Sequence, residues 1–197
     1  MLRWSGARTT IARKMEAIIE TVLILVALLL VAIVVFAATR PNKFRLQRSI
    51  VIAAPAETIY PLIADFRKWA LWSPWDNLDP EMKRTYEGAP IGLGAIYTYE
   101  GNKTVGAGRM EIVDAQPGRK IVAKLHFIKP FEAQNIAEFT LVQQSNGTEV
   151  TWAMHGPLTF MGRLMGIVLS MERLVGGQFE QGLANLKAVA EGREGNA

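Results

Sequence analysis

The sequence predicts an α+β domain in which a seven-stranded antiparallel sheet curves around one long C-terminal helix, preceded by one transmembrane helix. Three observations lead to this prediction. An apolar run without a charge, residues 21–38, lies near the N-terminus. Seven strand-like runs follow it, and short turns join the last six. Apolar residues then recur at helical spacing from 159 to 191.

The N-terminal apolar run predicts a membrane anchor. A helix over residues 17–38, about 22 residues at roughly 1.5 Å each, would span about 33 Å, close to the thickness of a bilayer's hydrocarbon core. The run contains no glycine or proline and has no polar face, unlike the helix of a soluble core. A cleaved signal peptide is the alternative, but the run is long for one and Arg40 follows it instead of a clear cleavage pattern. We therefore predict a single-pass membrane protein.

The positive charge of the chain belongs to the flanks of this helix. The net charge is +4, and residues 1–43 carry all of it, since residues 44–197 are neutral. A basic nucleic-acid footprint is therefore absent, and we expect no nucleic-acid partner. Basic residues on the two sides of the helix nearly cancel in the positive-inside rule. The basic N-terminus mildly favours an orientation with the domain outside the cytoplasm.

The remaining chain is long enough for one well-packed domain. We predict a basic segment, transmembrane helix and short linker over 1–43, the folded domain over 44–191, and a flexible tail over 192–197. No internal repeat or second linker interrupts the domain.

The elements of the domain follow from periodicity and punctuation. Residues 44–52 alternate as a half-buried strand, and Pro55 then begins a short helix, followed by a second one over 65–71. Asn146-Gly147 is a strong hairpin signal. The last helix could be disturbed at Gly176-Gly177. The six further strands are expected at 82–87, 95–101, 106–114, 121–128, 135–143 and 148–155.

The order of these elements and several local motifs resemble the SRPBCC superfamily, the START and birch-pollen-allergen-like proteins, and within it the polyketide cyclase/dehydrase-like group. The resemblance covers roughly residues 44–191. Its motifs are Ile52-x-x-Pro55, Trp69-x-x-Trp72-Ser73-Pro74-Trp75, Tyr97-x-Tyr99-Glu100-Gly101-Asn102, Gly106-x-Gly108-x-Met110, Lys129-Pro130-Phe131, Ala137-Glu138-Phe139, Gly147-Thr148-x-Val150-Thr151-Trp152 and Phe179-Glu180-x-Gly182-Leu183-x-Asn185-Leu186. The resemblance implies a helix-grip fold with a cavity between sheet and helix, and binding of lipids, isoprenoids, polyketides or other apolar molecules.

The sequence assigns no catalytic residue, metal ligand or cofactor. The chain has no cysteine, and no acidic or histidine cluster has the spacing of a metal site. His126 and His155 are the only bases that titrate near neutral pH, and strand alternation turns both outward. Asn135 shares its phase with inward apolar residues, so it must find a partner in backbone, water or ligand.

Three tryptophans, Trp69, Trp72 and Trp75, leave three roles open: core packing, the mouth of a cavity, or a membrane-interface patch. Methionines of the last helix suit an adaptable apolar lining. The predicted ligand-cavity residues are Trp75, Tyr97, Tyr99, Met110, Ile112, Leu125, Phe127, Asn135, Phe139, Trp152, Met165 and Phe179.

The function predicted from these residues and the resemblance is a membrane-anchored module that binds a hydrophobic small molecule or lipid. One alternative is a cyclase or dehydratase-type enzyme, which needs an inward acid or base. The other is a chaperone-like interaction module, which would show a filled core and an exposed apolar patch.

Overall fold

The computed structural model describes residues 5–158, 162 and 171–192. The chain divides into two compact units. The smaller contains helix α1, Ser5–Thr39. The larger contains the sheet and the C-terminal helix. By length and composition the part of α1 from Arg13 to Thr39 can cross a membrane, a test that a signal sequence near the N-terminus also meets.

The larger unit is a single seven-stranded antiparallel sheet in the order β1-β7-β6-β5-β4-β3-β2. From β2 to β7 each strand pairs with the next in a meander, and β1 pairs with β7 as an edge strand of the sheet. The strands are β1 Lys43–Ile52, β2 Lys83–Gly88, β3 Ala95–Glu100, β4 Ala107–Gln116, β5 Lys120–Lys129, β6 Ala133–Gln144 and β7 Gly147–Pro157. The predicted strands are confirmed, with bounds that differ by one or two residues.

Three short helical segments link β1 to β2. They are α2, Ala56–Ala64, and two 3₁₀ helices, Phe66–Leu71 and Trp75–Asn77. Pro55 precedes α2, where a missing N–H costs nothing. Asp65 accepts a hydrogen bond from the Arg67 N–H at 3.0 Å and so begins the first 3₁₀ helix.

The C-terminal helix α3, Met171–Ala190, packs on the same sheet face as these segments. It is continuous through Gly176-Gly177. A Cβ at Gly176 would lie 2.6 Å from Nη2 of Arg48, whose guanidinium pairs with Glu172 and Glu180 of the helix. The predicted helical residues 159–170, apart from the helical Gly162, lie outside the described residues.

Strand register defines the two ends of the sheet. We use the term entry end for the end of the sheet at which the chain enters β1. The strand termini that form it are Lys43, Glu100, Ala107, Lys129, Ala133 and Pro157. Helix α3 runs away from it: Glu180 contacts Arg48, and further along Lys187 Nζ donates to the Val51 carbonyl at 2.7 Å. The core lies between the sheet and α2, α3 and the first 3₁₀ helix.

Candidate functional site

A cavity of about 390 Å³ lies between the sheet and α3, toward the entry end. Inward side chains of β3 to β7 form its floor, and Val175 and Phe179 of α3 form part of its roof. Strand alternation explains this lining, because every second residue of each strand points to the helix side of the sheet.

The structure brings nine of the predicted cavity residues together around this space. They are Trp75, Tyr97, Tyr99, Met110, Leu125, Phe127, Asn135, Trp152 and Phe179. Their assignment as ligand contacts stays a prediction.

The structure places two other predicted residues away from the cavity lining. Ile112 and Phe139 are almost fully buried in the packed part of the core. Both face the same side as the lining residues, but they lie further from the entry end, where the 3₁₀ helix covers the sheet. The rings of Trp69 and Trp72 each lie 6.1 Å from the ring of Phe139. Met165 lies outside the described residues.

A buried carboxylate, Asp76, borders the apolar cavity. Its side chain is only 5% exposed. The Tyr97 hydroxyl donates to Oδ1 at 2.9 Å, and Arg84 Nε donates to the same oxygen at 3.2 Å. Arg84 also donates to the Asp76 backbone carbonyl at 2.7 Å. The carboxylate is therefore charge-compensated and fixed in place.

The Tyr99 hydroxyl and the Asn135 amide both belong to the lining and have no hydrogen-bond partner among the described residues. Burial, together with the smaller effect of the Asp76 charge, raises the pKa of Tyr99 to about 12. Burial also raises the pKa of Tyr97 above that of an ordinary phenol, with Asp76 acting in the same direction. Both hydroxyls stay protonated at neutral pH, so Tyr99 can donate a hydrogen bond to an acceptor inside the cavity.

An aromatic cluster separates the cavity from the packed core. The Trp152 ring stacks on Phe179 at 4.1 Å and on Phe139 at 4.9 Å between centroids. Trp75 meets Trp152 edge-on at 5.6 Å. The Trp152 indole N–H is buried without a hydrogen-bond partner among the described residues.

The three tryptophans predicted as a group take different positions. Trp69 and Trp72 are buried, and their indole N–H groups donate to the carbonyls of Ile63 and Leu62. Both are therefore held in the core, although Trp69 also touches the cavity. Trp75 is half-buried and lines the cavity.

Loops at the entry end complete the cavity wall. Asn102 Oδ1 accepts hydrogen bonds from the backbone N–H groups of Thr104 and Val105, which places those two residues in the lining. Lys129, Pro130 and Phe131 border the same side. Because exposed residues bound the cavity here, this is where it reaches the surface.

Both histidines lie on the outer face of the sheet, as strand alternation predicts. In the register His126 is paired with Arg109 and His155 with Ile136, and these pairs alternate with the inward-facing ones. His126 Nε2 lies 3.1 Å from the Glu132 carboxylate at the edge of the cavity. Within the described part of the chain, no group of three or more His, Asp or Glu side chains could hold a metal ion.

Sequence reasoning missed Asp76 and Arg84. Asp76 lies in a three-residue 3₁₀ helix, which is too short to show a periodic pattern. Arg84 carried a weak signal, because it alternates with Tyr86 on the inward face of the predicted strand 82–87. An inward arginine requires a buried acceptor, and that requirement could have pointed to a nearby carboxylate.

A family model described as "Polyketide cyclase / dehydrase and lipid transport" matches residues 43–191. No curated protein matches the chain.

Solved structures share the fold at low sequence identity. Protein CV1439 from Chromobacterium violaceum is 20% identical, with a TM-score of 0.54 over 77% of this chain and 99% of its own. The di-domain ARO/CYC StfQ from the steffimycin biosynthetic pathway is 15% identical, with a TM-score of 0.59 over 79% of this chain and 53% of its own. The Aha1 dimer from Colwellia psychrerythraea is 16% identical, with a TM-score of 0.51 over 75% of this chain and 96% of its own.

Proposed function

The chain belongs to the polyketide cyclase/dehydrase and lipid transport family, and from this premise we propose that it is a membrane-anchored module that binds a lipid-like, isoprenoid or polyketide-like molecule. The observation that carries the proposal is the cavity of about 390 Å³ between sheet and α3. Its volume lies in the range of small-molecule sites, roughly 300–1,000 Å³, and its lining is mainly apolar with a few placed polar groups.

The lining suggests the chemistry of the ligand. Aromatic and aliphatic side chains favour an apolar body, since burial from water contributes roughly 25 cal/mol per Å². The unpartnered Tyr99 hydroxyl favours an oxygen acceptor on the ligand, and Asn135 can serve a donor or an acceptor. Transfer from a bilayer, which is also apolar, is nearly balanced in free energy, so the site suits exchange better than storage.

The first test fills the cavity. Leu125→Trp places an indole in the cavity, and Val142→Trp places the same group on the exposed outer part of β6 as a matched control. We expect the first variant to lose binding of an apolar fluorescent probe and the second to retain it, with both folded by circular dichroism. Equal binding by the two variants would refute the cavity as the site. Mass spectrometry of lipids extracted from the purified full-length protein would identify the natural ligand.

Helix α1 supports the membrane part of the proposal. The protein should stay in the membrane fraction in high salt, and removal of residues 1–39 should release a soluble domain. The proposed side of the domain is outside the cytoplasm. Because the chain has no cysteine, Leu93→Cys, at a position that is 63% exposed, gives a unique label site. A membrane-impermeant maleimide should label it in right-side-out vesicles, and labelling only after lysis would reverse the orientation.

A cyclase or dehydratase-type enzyme is the second candidate, and Asp76 is the observation that favours it. A buried carboxylate with Tyr97 and Tyr99 beside an apolar cavity offers proton-transfer groups. Asp76→Asn separates the two functions. A binding module should carry the same molecule as the wild type, whereas an enzyme should accumulate an unconverted one. The cavity weighs against a chaperone-like module, which would need a filled core.

A further inference from the structure

The entry end of the sheet combines the cavity opening with Phe131, the most exposed of the large apolar side chains that the structure describes. Ile128, which is 47% exposed, lies near the end of β5, and Phe131, which is 77% exposed, lies in the connection from β5 to β6. Phe131 also lines the cavity. Water contact of this much apolar surface is unfavourable by the same area-dependent free energy that drives core formation, so a partner that covers it would be stabilising.

A short linker joins this end of the sheet to the apolar helix. Only residues 40–42 separate α1, which ends at Thr39, from β1, which begins at Lys43. Four Cα–Cα steps reach at most about 14 Å. Strand β5 is the third neighbour of β1 in the sheet, which is a further distance of about 14 Å at the usual strand spacing. The length of the linker therefore allows the β5–β6 connection to reach the headgroups of a bilayer that α1 spans.

The charge of the neighbouring surface fits an anionic bilayer. A groove on the outer face of the sheet adjoins the entry end. Its lining contains the basic residues Lys43, Arg45, Arg109 and Lys124. Arg109 pairs at 2.8 Å with Glu111, the one acidic residue of the lining among those the structure describes, so a surplus of positive charge remains. Basic side chains next to a membrane are attracted by the negative potential of anionic lipids, and an adjacent aromatic ring suits the interface between headgroups and acyl chains.

We propose that the segment from Ile128 to Phe131 inserts into the bilayer interface beside the anchor, so that the cavity opens toward the membrane and its ligand passes between bilayer and protein without crossing water. This inference rests on the proposed tether and on the proposed ligand cavity. It commits to one occupant of the exposed apolar surface, the interface of an anionic bilayer.

The first experiment measures insertion and requires no ligand. The full-length Phe131→Cys protein, labelled with an environment-sensitive fluorophore, is reconstituted in phosphatidylcholine vesicles with and without phosphatidylglycerol. Spin-labelled lipids should quench and the aqueous quencher iodide should not, with stronger lipid quenching when phosphatidylglycerol is present. Leu93→Cys is the matched control, because it is 63% exposed in the β2–β3 connection at the opposite end of the sheet. Iodide should quench it freely.

Equal iodide quenching at the two positions would overturn the proposal. Protection at position 131 that depends on protein concentration and persists in lipid-free detergent would also overturn it, since a second copy of the chain would then cover the surface.

The second experiment measures exchange. Ile128 is 47% exposed and is not among the residues that line the cavity. Transfer of an apolar fluorescent probe from vesicles to the full-length Ile128→Ser protein should therefore be about tenfold slower than to the wild type, equivalent to about 1.4 kcal/mol, with equilibrium binding unchanged. An unchanged rate would contradict the membrane route. A wild-type protein that takes up no probe, while the label at position 131 still inserts, would instead refute the proposed ligand function and leave the insertion intact.

Discussion

The space between the sheet and α3 has two halves that share one pattern of inward side chains but differ in packing. In the half away from the entry end, large apolar side chains are almost fully buried in a single core cluster. Examples are Ile63, Phe139, Leu183 and Leu186. Toward the entry end, equally inward residues border a cavity of about 390 Å³. The difference lies in the covering elements. Helix α2 and the first 3₁₀ helix bring large apolar groups over the first half, whereas over the second half they contribute only Trp69.

This comparison shows that alternation along a strand determines which face a side chain occupies, whereas the elements above the sheet determine whether the side chain packs or lines a void. The aromatic cluster around Trp152 marks the boundary. Trp152 stacks with Phe139 on the packed side, and its neighbour Trp75 lines the cavity.

The largest expected effect is on the free energy of unfolding when one inward side chain in each half is truncated to alanine. Phe139→Ala should lower the free energy of unfolding by about 3–5 kcal/mol, because it leaves a void in a packed site. Met110→Ala should cost only about 1–2 kcal/mol, because its side chain already borders empty space and makes fewer contacts. Denaturant titration of the full-length protein in detergent micelles measures both values. Equal losses would show that the two halves are packed alike.

Most of the fold could be predicted from the sequence, for reasons visible in particular residues. The Asn146-Gly147 signal lies at the turn from β6 into β7, and the alternation of Phe44, Leu46 and Ile50 marks β1. The candidate site could be predicted only in part. Ile112 and Phe139 carry the inward phase of a lining residue, but no local pattern tells how far along the strand the covering helices reach.

Asp76 was not predictable from periodicity, since it gains its partners only when the segment after the first 3₁₀ helix folds back beside β2 and β3. Its contacts to Arg84 and Tyr97 join residues that are eight and twenty-one positions apart in the chain. Long-range polar contacts of this kind leave no trace in a single strand or helix pattern.

The next effect tests whether the cavity is a low-dielectric space. The pKa of Tyr99 is raised to about 12, above the value of about 10 in an unfolded chain. Between these values the unfolded chain loses a proton that the folded protein keeps. The stability that Tyr99 contributes is therefore full below about pH 10 and falls on the order of 2 kcal/mol by pH 12.

Tyr99→Phe should lack this part of the alkaline loss, as measured by unfolding at a series of pH values. Tyr60→Phe is the control for loss of a tyrosine hydroxyl outside the cavity lining. It is a matched control because burial raises the pKa of Tyr60 as well. If the wild type and Tyr99→Phe lose stability in parallel, the hydroxyl is hydrated and the cavity is not apolar.

A smaller effect concerns the boundary itself. Trp75→Ala should weaken uptake of an apolar probe while costing about 1–2 kcal/mol of stability, because the ring is half-buried and meets Trp152 and Phe179 only edge-on. Probe binding and the denaturant midpoint are measured on the same samples. A stability loss as large as that of Phe139→Ala, with binding unchanged in the folded fraction, would assign Trp75 to the packed half.

The smallest effect compares one buried polar side chain from each half. Thr148 is fully buried, and its hydroxyl donates to the Ala54 carbonyl at 2.8 Å. Thr148→Val should cost about 1–2 kcal/mol, since it leaves that carbonyl without its donor.

Asn135 is also buried, but its amide has no partner among the described residues. Asn135→Leu keeps the shape and removes no hydrogen bond, so stability should change by less than about 0.5 kcal/mol while probe binding shifts toward less polar probes. A loss equal to that of Thr148→Val would mean that Asn135 serves the fold, and that the polar character of the cavity comes from Tyr99 and Asp76.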